Sequence, residues 1–239
     1  MVEPAAPKNA STVILVRPDG HGKFEVFLTL RPAEMNFMGG VYVFPGGSVE
    51  EEDYSEEMLM RCRGLSRTEA QQILGGELSP ELSIGHSVAA IRELFEETGI
   101  LLSVTENGEP MDTRQGKIKN SLADKRKSLV EGSINFPLLL ESEGLYCDVS
   151  RPVYFFHRVT PEKYANRFDA RFYLAQLPPD QSPLSCSEEV VKSLWMNPDG
   201  ALDRAQRGEF PLMPPTLLVL RTLAAFDSWR SLCGQYQLR

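Results

Sequence analysis

Eight consecutive residues, Arg92-Glu93-Leu94-Phe95-Glu96-Glu97-Thr98-Gly99, carry the chemistry most directly readable from this chain. On a helix, spacings of three and four residues set Glu93, Glu96 and Glu97 side by side on one face. Like charges so placed repel unless something positive lies among them. Carboxylate oxygens are the ligands that hard divalent ions such as Mg²⁺ and Mn²⁺ take. Gly99 stands just past the acidic turn, where a helix commonly ends in a left-handed residue. The spacing predicts a helix whose last, solvent-facing turns carry a Mg²⁺ or Mn²⁺ site. For the cluster alone, the alternative is a plain solvated acidic face.

The neighbouring elements favour the first reading. Ser87 to Ile91 is small and apolar, and Ile91, Leu94 and Phe95 supply a buried stripe at helical spacing. Upstream, Val41-Tyr42-Val43-Phe44 reads as a short buried strand running into Pro45-Gly46-Gly47. A strand, a Gly-Gly turn and then an acidic helix is one way to bring backbone close to a phosphate-bearing ligand. An ordinary turn is the other reading of the glycines.

Together these residues resemble the signature of the Nudix hydrolases. That signature is Gly, five residues, Glu, seven residues, then Arg-Glu-apolar-any-Glu-Glu-any-Gly-apolar. The second half is complete in Arg92 to Ile100. The first half is similar to Gly47-Ser48-Val49-Glu50-Glu51-Glu52-Asp53, with Asp53 where the family usually has Glu. Between Asp53 and Arg92 lie 38 residues instead of seven. Such a stretch can carry Asp53 away from the acidic face. Residues Tyr54 to Ile84 hold two helical-looking stretches, Ser55 to Cys62 and Ser66 to Leu74, then a Pro/Gly-containing connector. A loop insertion there is cheap when its ends stay close, and it is expected to tune substrate preference. An insertion at this point resembles the acyl-CoA diphosphatase branch, typified by a peroxisomal mammalian enzyme. Arg167 to Ala175 and Leu212 to Thr216 add to that likeness, and the resemblance to the Nudix hydrolases as a whole covers most of the chain.

The resemblance implies an α/β fold, the Nudix α/β/α sandwich with a mixed sheet and additional helical insertions. It implies that Glu93, Glu96 and Glu97 hold the Mg²⁺ or Mn²⁺, with Glu96 or Glu97 also near the nucleophilic water. Arg92 would fix a carboxylate through a forked ion pair. Glu188 or Glu189, before the Val190 strand, would supply the general base, with Glu189 the candidate; a solvated loop is the alternative. Phe44, Gly46, Gly47 and Arg31 are expected at the substrate, Arg31 holding a phosphate or else making a surface ion pair. Phe155, Phe156 and Tyr173 could wall an acyl or base moiety or, as strand aromatics usually do, fill the core. The expected reaction is metal-dependent hydrolysis of a nucleoside diphosphate linked to another moiety, with CoA or acyl-CoA leading. ADP-ribose, NADH or a dinucleoside polyphosphate are alternatives, as is a catalytically silent nucleotide-binding module, against which three intact glutamates count.

Composition sets the outer bounds. At 239 residues and 42% hydrophobic, the chain can bury one sizeable core. One domain over residues 1–239 is expected, with insertions at about 54–84 and 113–145. The net charge of −8, without a basic run, argues against nucleic acid as partner. An acidic protein handling phosphates needs cations between the two. The four cysteines, Cys62, Cys147, Cys186 and Cys233, form no paired motif, and His21, His86 and His157 do not complete a zinc site. Free thiols in a reducing cytoplasm are expected. No apolar run reaches membrane-spanning length, no leader is evident, and the last residues are not a peroxisomal Ser-Lys-Leu signal. A cytoplasmic protein binding a small nucleotide diphosphate, with no membrane partner, follows; a homodimer is compatible with the chain.

Coarse patterning places the remaining elements. Ser11 to Val16 and Phe24 to Leu30 read as strands joined around Pro18-Asp19-Gly20. Ile100 to Val104, Pro152 to Val159, Arg171 to Leu177 and Val190 to Met196 read as further strands. Thr113 to Val130, Phe136 to Ser142, Pro198 to Arg207 and Pro215 to Trp229 read as helices, the last two with proline near the start. Strands interleaved with helices imply a mixed sheet between helical layers.

Overall fold

Val13-Ile14-Leu15-Val16 is apolar without a break because its strand is covered on both faces. In the computed structural model, which describes residues 5–34, 39–111, 116–187 and 190–238, these four side chains are fully buried. They lie on β1 (Lys8–Pro18), the middle of the main sheet. β1 pairs antiparallel with β2 (Phe24–Leu30), Val16 opposite Val26 and Pro18 opposite Phe24. Asp19 holds the predicted turn between them, accepting from the backbone N–H of His21 (2.7 Å) and Lys23 (2.9 Å). On its other side β1 runs parallel to β9 (Phe168–Gln176). β10 (Lys192–Met196) and β8 (Val153–Val159) complete the order β10-β2-β1-β9-β8. The short strands β3 (Tyr42–Val43) and β4 (Gly46–Ser48) pair with β2 and β1.

Alternation along the strands separates two cores. Val13, Leu15, Phe27, Tyr173 and Ala175 face α3 (Pro80–Thr98), whose Val88, Ile91, Leu94 and Phe95 join them. Around α3 stand α1 (Glu56–Met60), α2 (Arg67–Ile73), α4 (Gly116–Val130) and α5 (Phe136–Ser142). With them is a second small sheet of β5 (Cys62–Arg63), β7 (Leu145–Asp148) and β6 (Ser103–Thr105). Ile14, Val16, Val26, Leu28, Phe172 and Leu174 face the other way, toward α6 (Pro198–Gln206), α7 (Pro214–Ala224) and α8 (Trp229–Tyr236). The strand and helix order predicts a mixed sheet between helical layers, and its form here is the α/β/α sandwich that the resemblance implies.

Several local readings change. Gly46 and Gly47 form a strand on β1, not a turn. The stretch read as a helix to Cys62 ends at Met60 and gives way to β5, which finds its partner β7 far along the chain. Of Ile100 to Val104 only the end is strand, and it belongs to the small sheet. The long helix read from Pro215 to Trp229 divides after Ala224, and Ser228 caps α8 by accepting from the Ser231 N–H at 3.2 Å. Residues 54–84 are not a loop lying outside the core: Met58, Leu59, Ala70 and Ile84 are buried in it, and the stretch includes the start of α3. Loop-closure entropy alone overlooks that amphipathic helices contribute burial of their own. Among the described residues no helix is long and apolar enough to cross a membrane.

The layer between β1, α3 and β9 also holds a buried polar chain. His86, fully buried, has Nδ1 at 3.0 Å from Ser11 Oγ and Nε2 at 3.2 Å from Arg171 Nη1. Arg171 donates to Asp169 at 3.0 Å, and His157 Nε2 lies 2.5 Å from the same carboxylate oxygen. A guanidinium only donates, so His86 Nε2 accepts and the ring is neutral. Burial first, and the Arg171 charge second, push the His86 pKa down to about 3. The unfolded chain protonates at its ordinary value near 6.5, so His86 leaves stability intact above that pH and removes it progressively below. By pH 5 the loss is about 2 kcal/mol, growing toward pH 3. Urea unfolding at pH 7 and pH 5 is expected to show it, with a shallower pH slope in His86→Gln.

Candidate active site

α3 is built to present its C-terminal turns. Ser79 caps its start, accepting from the Leu82 N–H at 3.1 Å, with Pro80 in the first turn. Gly99 ends it at φ 75°, its N–H reaching Phe95 O at 2.8 Å, as the sequence predicts. Between these ends Ser83 to Ile91 are all buried, so the helix cannot roll.

Arg92 is the centre of the acidic face. Its Nε and Nη2 donate to Asp53 Oδ1 and Oδ2 at 2.8 and 2.9 Å, a fork on fork pair. Nη2 also reaches Ser48 O at 2.9 Å. Nη1 donates to Glu93 Oε1 at 2.9 Å and Glu96 Oε1 at 3.3 Å. Asp53 sits on a short 3-10 helix, Glu51–Tyr54, where its carboxylate also accepts from the Glu50 N–H at 2.8 Å. The concern that the intervening stretch carries Asp53 away is thus corrected. The inserted helices fold back on α3, and both halves of the divided motif meet at Arg92. Burial opposes the Arg92 charge, but Asp53, Glu93 and Glu96 more than offset it and hold the group above its ordinary pKa. Burial pushes the Glu93 carboxyl up to about 7, against the opposing pull of Arg92.

The glycines let β4 pass close to the acidic face and to β1. A Cβ on Gly47 would stand 2.4 Å from Glu93 Oε1, so β4 passes directly under the Glu93 carboxylate. At Gly46 (φ 153°) a Cβ would stand 2.3 Å from Ser11 O and 2.7 Å from Thr12 Cα. Gly47→Ala meets only the tip of a flexible side chain. It is expected to displace Glu93 and cut turnover at least about tenfold while unfolding changes by less than about 1 kcal/mol. Gly46→Ala meets backbone and is expected to cost far more in thermal unfolding.

Glu97 is 7% exposed rather than solvent-facing. Arg126 of α4 donates to the backbone carbonyl of Glu96, placing a cation at the C-terminal end of α3. The donor chemistry here fits a hard divalent ion, with oxygens only and several negative charges around one guanidinium. The expected convergence is not present, however. Among the described residues no three carboxylate, imidazole or thiol side chains are arranged to hold an ion. Helical spacing puts Glu93, Glu96 and Glu97 on adjoining positions, but their side-chain torsions decide where the oxygens go, and Arg92 draws in two of them.

A cavity of about 450 Å³ opens beside this face. Glu50, Glu52, Asp53, Arg92 and Glu96 line one side. Met58, Leu129, Ile134, Phe136 and Leu138 line the other, four of them from the stretch that runs from the end of α4 into α5. Asn135 caps α5 and its Nδ2 lies 3.4 Å from Glu52 Oε1, joining the two sides. This wall and Arg126 escaped sequence reading. The hint was a basic amphipathic segment followed by an Asn-Phe-Pro helix start, and it says nothing about docking against α3.

The remaining candidates fall elsewhere. Phe44 is 4% exposed in the core that faces α6 to α8. Tyr173 is buried against α3, while Phe155 and Phe156 pack with Tyr236 and Phe172, so the core reading holds for all three. Arg31 ends β2, its backbone paired with Val41 and Gly40, and its Nε is buried without a partner among the described residues. Glu188 and Glu189 lie outside the described residues.

Comparison with known proteins agrees with this geometry. The family model described as the NUDT19 Nudix domain matches residues 7–223. The acyl-coenzyme A diphosphatase NUDT19 of Gallus gallus is 30% identical over 250 residues, 90% of this chain and 65% of that protein. A Caenorhabditis elegans protein named as nudix hydrolase 7 is 28% identical over 211 residues, 88% of this chain and 59% of that protein. This chain therefore spans less than two thirds of the length of these two relatives. The crystal structure of a NUDIX hydrolase from Alicyclobacillus acidocaldarius superposes with a TM-score of 0.76 at 26% identity, covering 96% of both chains.

Proposed function

This chain belongs to the family of the NUDT19 Nudix domain, within the Nudix hydrolases, and from that premise we propose that it is a divalent-cation-dependent pyrophosphohydrolase acting on CoA or an acyl-CoA. The carrying observation is the Arg92 centre, where Asp53, Glu93 and Glu96 from the two halves of the motif share one guanidinium beside a cavity. The 30% identity to an acyl-coenzyme A diphosphatase supports the substrate class. So does an apolar wall facing the acidic side, which suits a ligand carrying both a diphosphate and an aliphatic arm.

Glu93, Glu96 and Glu97 would hold the Mg²⁺ or Mn²⁺ after side-chain rotation. Such an ion neutralises diphosphate charge and makes bound water more acidic. Arg92, locked by Asp53, sets the direction of the Glu93 and Glu96 carboxylates. Burial raises the Glu93 carboxyl to about 7, so a bound cation would favour its ionised form. Glu189 remains the proposed general base, Arg31 a proposed phosphate contact, and residues 54–84 and 113–145 elaborations of one catalytic unit.

The test is hydrolysis of CoA, medium-chain acyl-CoA, ADP-ribose, NADH and dinucleoside polyphosphates by the full chain, with Mg²⁺, with Mn²⁺ and with chelator. Cation-dependent release of 4′-phosphopantetheine or its acyl form is expected. Preference for ADP-ribose, NADH or dinucleoside polyphosphates would move the substrate class, and no hydrolysis of any would favour a nucleotide-binding module. Leu138 is 47% exposed on the cavity wall, so Leu138→Asp should not disturb folding. It is expected to raise KM for the acyl-CoA about tenfold while CoA itself changes little.

A further inference from the structure

Two of the free thiols, Cys62 and Cys147, are direct partners across the parallel strands β5 and β7. The pairing is anchored on both sides by Cys147 N–H to Arg61 O at 2.8 Å and Val149 N–H to Arg63 O at 3.0 Å. Opposed residues of paired strands send their side chains to the same face. Here that face is the core shared with α3, where Cys147 is fully buried and Cys62 packs half-buried against it. Neighbouring strands stand about 4.8 Å apart, within the Cα span of roughly 4.4–6.8 Å that a disulfide bridges. The pairing sets the two thiols side by side on that face; burial first, and the Cys62 thiol next, raise the Cys147 pKa well above its ordinary value. Cys62 Sγ also donates to Met58 O at 3.4 Å. Cys186, exposed, and Cys233, half-buried, have no such partner among the described cysteines.

We propose that Cys62 and Cys147 are a peroxide-sensitive dithiol that closes to a reversible disulfide beneath the acidic face. Cys62 is the more accessible of the two, half-buried where Cys147 is fully buried. The Cys62 sulfur attacks one oxygen of hydrogen peroxide; the O–O bond breaks, Cys62 becomes a sulfenic acid, and the other oxygen leaves with the thiol proton as water. The Cys147 sulfur then attacks the Cys62 sulfur. The S–O bond breaks as the S–S bond forms, and the departing hydroxide takes the Cys147 proton as a second water. Two thiols and one peroxide thus yield one disulfide and two waters. The bond would tie β5 to β7 and remove the thiol donor from Met58, a residue of the cavity wall. The inference stands apart from the substrate reading, because neither sulfur belongs to the proposed reaction.

The test treats the full chain with hydrogen peroxide, then counts thiols in denaturant and maps peptides under non-reducing conditions. Titratable thiols are expected to fall from four to two, with a Cys62–Cys147 peptide in monomeric protein, a raised Tm, and full reversal by dithiothreitol. Cys62→Ser, at the half-buried position, and Cys147→Ser should each abolish that peptide. Recovery of both thiols free overturns the proposal, as does Cys62 as sulfinic acid beside an intact Cys147 thiol. So does a disulfide involving Cys186 in place of this pair. CoA or acyl-CoA hydrolysis by the reduced protein reports separately on the proposed function.

Discussion

Glu97→Gln is expected to lower kcat for the preferred diphosphate substrate by roughly 10²–10⁴-fold with Mg²⁺, at nearly unchanged Tm. Glutamine keeps the volume of a side chain that is 7% exposed, so packing is preserved while one negative oxygen donor is lost. In the proposed reaction that donor holds the cation or the attacking water, and an amide does neither as well. Raising Mg²⁺ or Mn²⁺ should recover part of the loss if the defect is metal affinity. Steady-state kinetics across a metal titration, beside a thermal melt, decide the matter. Near-normal turnover would remove Glu97 from the site, and collapse of the melt would make its role structural.

Asp53→Asn is expected to do the opposite: a large loss of stability together with a loss of activity. Arg92 and Asp53 side chains are 11% and 1% exposed, so the pair is shielded from water. Removing one charge leaves a buried guanidinium facing a neutral amide, at a cost of about 3 kcal/mol by analogy with broken buried pairs. Glu93 and Glu96 still contact Arg92, which keeps the figure at the lower end. The Glu50 N–H can still find an acceptor, so the 3-10 helix should survive. Activity should fall at least about tenfold, because Arg92, no longer fixed by the Asp53 carboxylate, can shift together with the Glu93 and Glu96 carboxylates it contacts. Asp53→Glu keeps the charge and restores the family's usual residue, so it should lose less on both counts. Denaturant unfolding and kcat measured on all three proteins separate the electrostatic effect from simple crowding.

How much of this was legible depended on how local the cause was. The acidic helix, its glycine end and its buried stripe follow from neighbours within a turn or two, and they stand as read. The unbroken apolar run at Val13 to Val16 marks a central strand for the same reason. Asp53 could not be assigned, because its partner lies 38 intervening residues away and only the packing of α1 and α2 on α3 returns it. Gly47 read as allowing close backbone approach; that a Cβ there would meet Glu93, from another element, became visible only in the fold. The cavity wall from Leu129 to Leu138 has the pattern of any amphipathic pair and acquires meaning only by docking.

Sequence alone determined the chemical inventory: three glutamates and an arginine on one helical face, the divided motif, and the main-sheet strands and long helices. Those properties are set by covalent spacing and hydrophobic period, which a chain carries whether folded or not. Tertiary structure decided which charges meet and which thiols lie side by side. It also decided that Asp53, Glu93 and Glu96 share the Arg92 guanidinium. Burial and long-range pairing are properties of the whole packed chain, and side-chain torsions answer to all of a residue's neighbours at once.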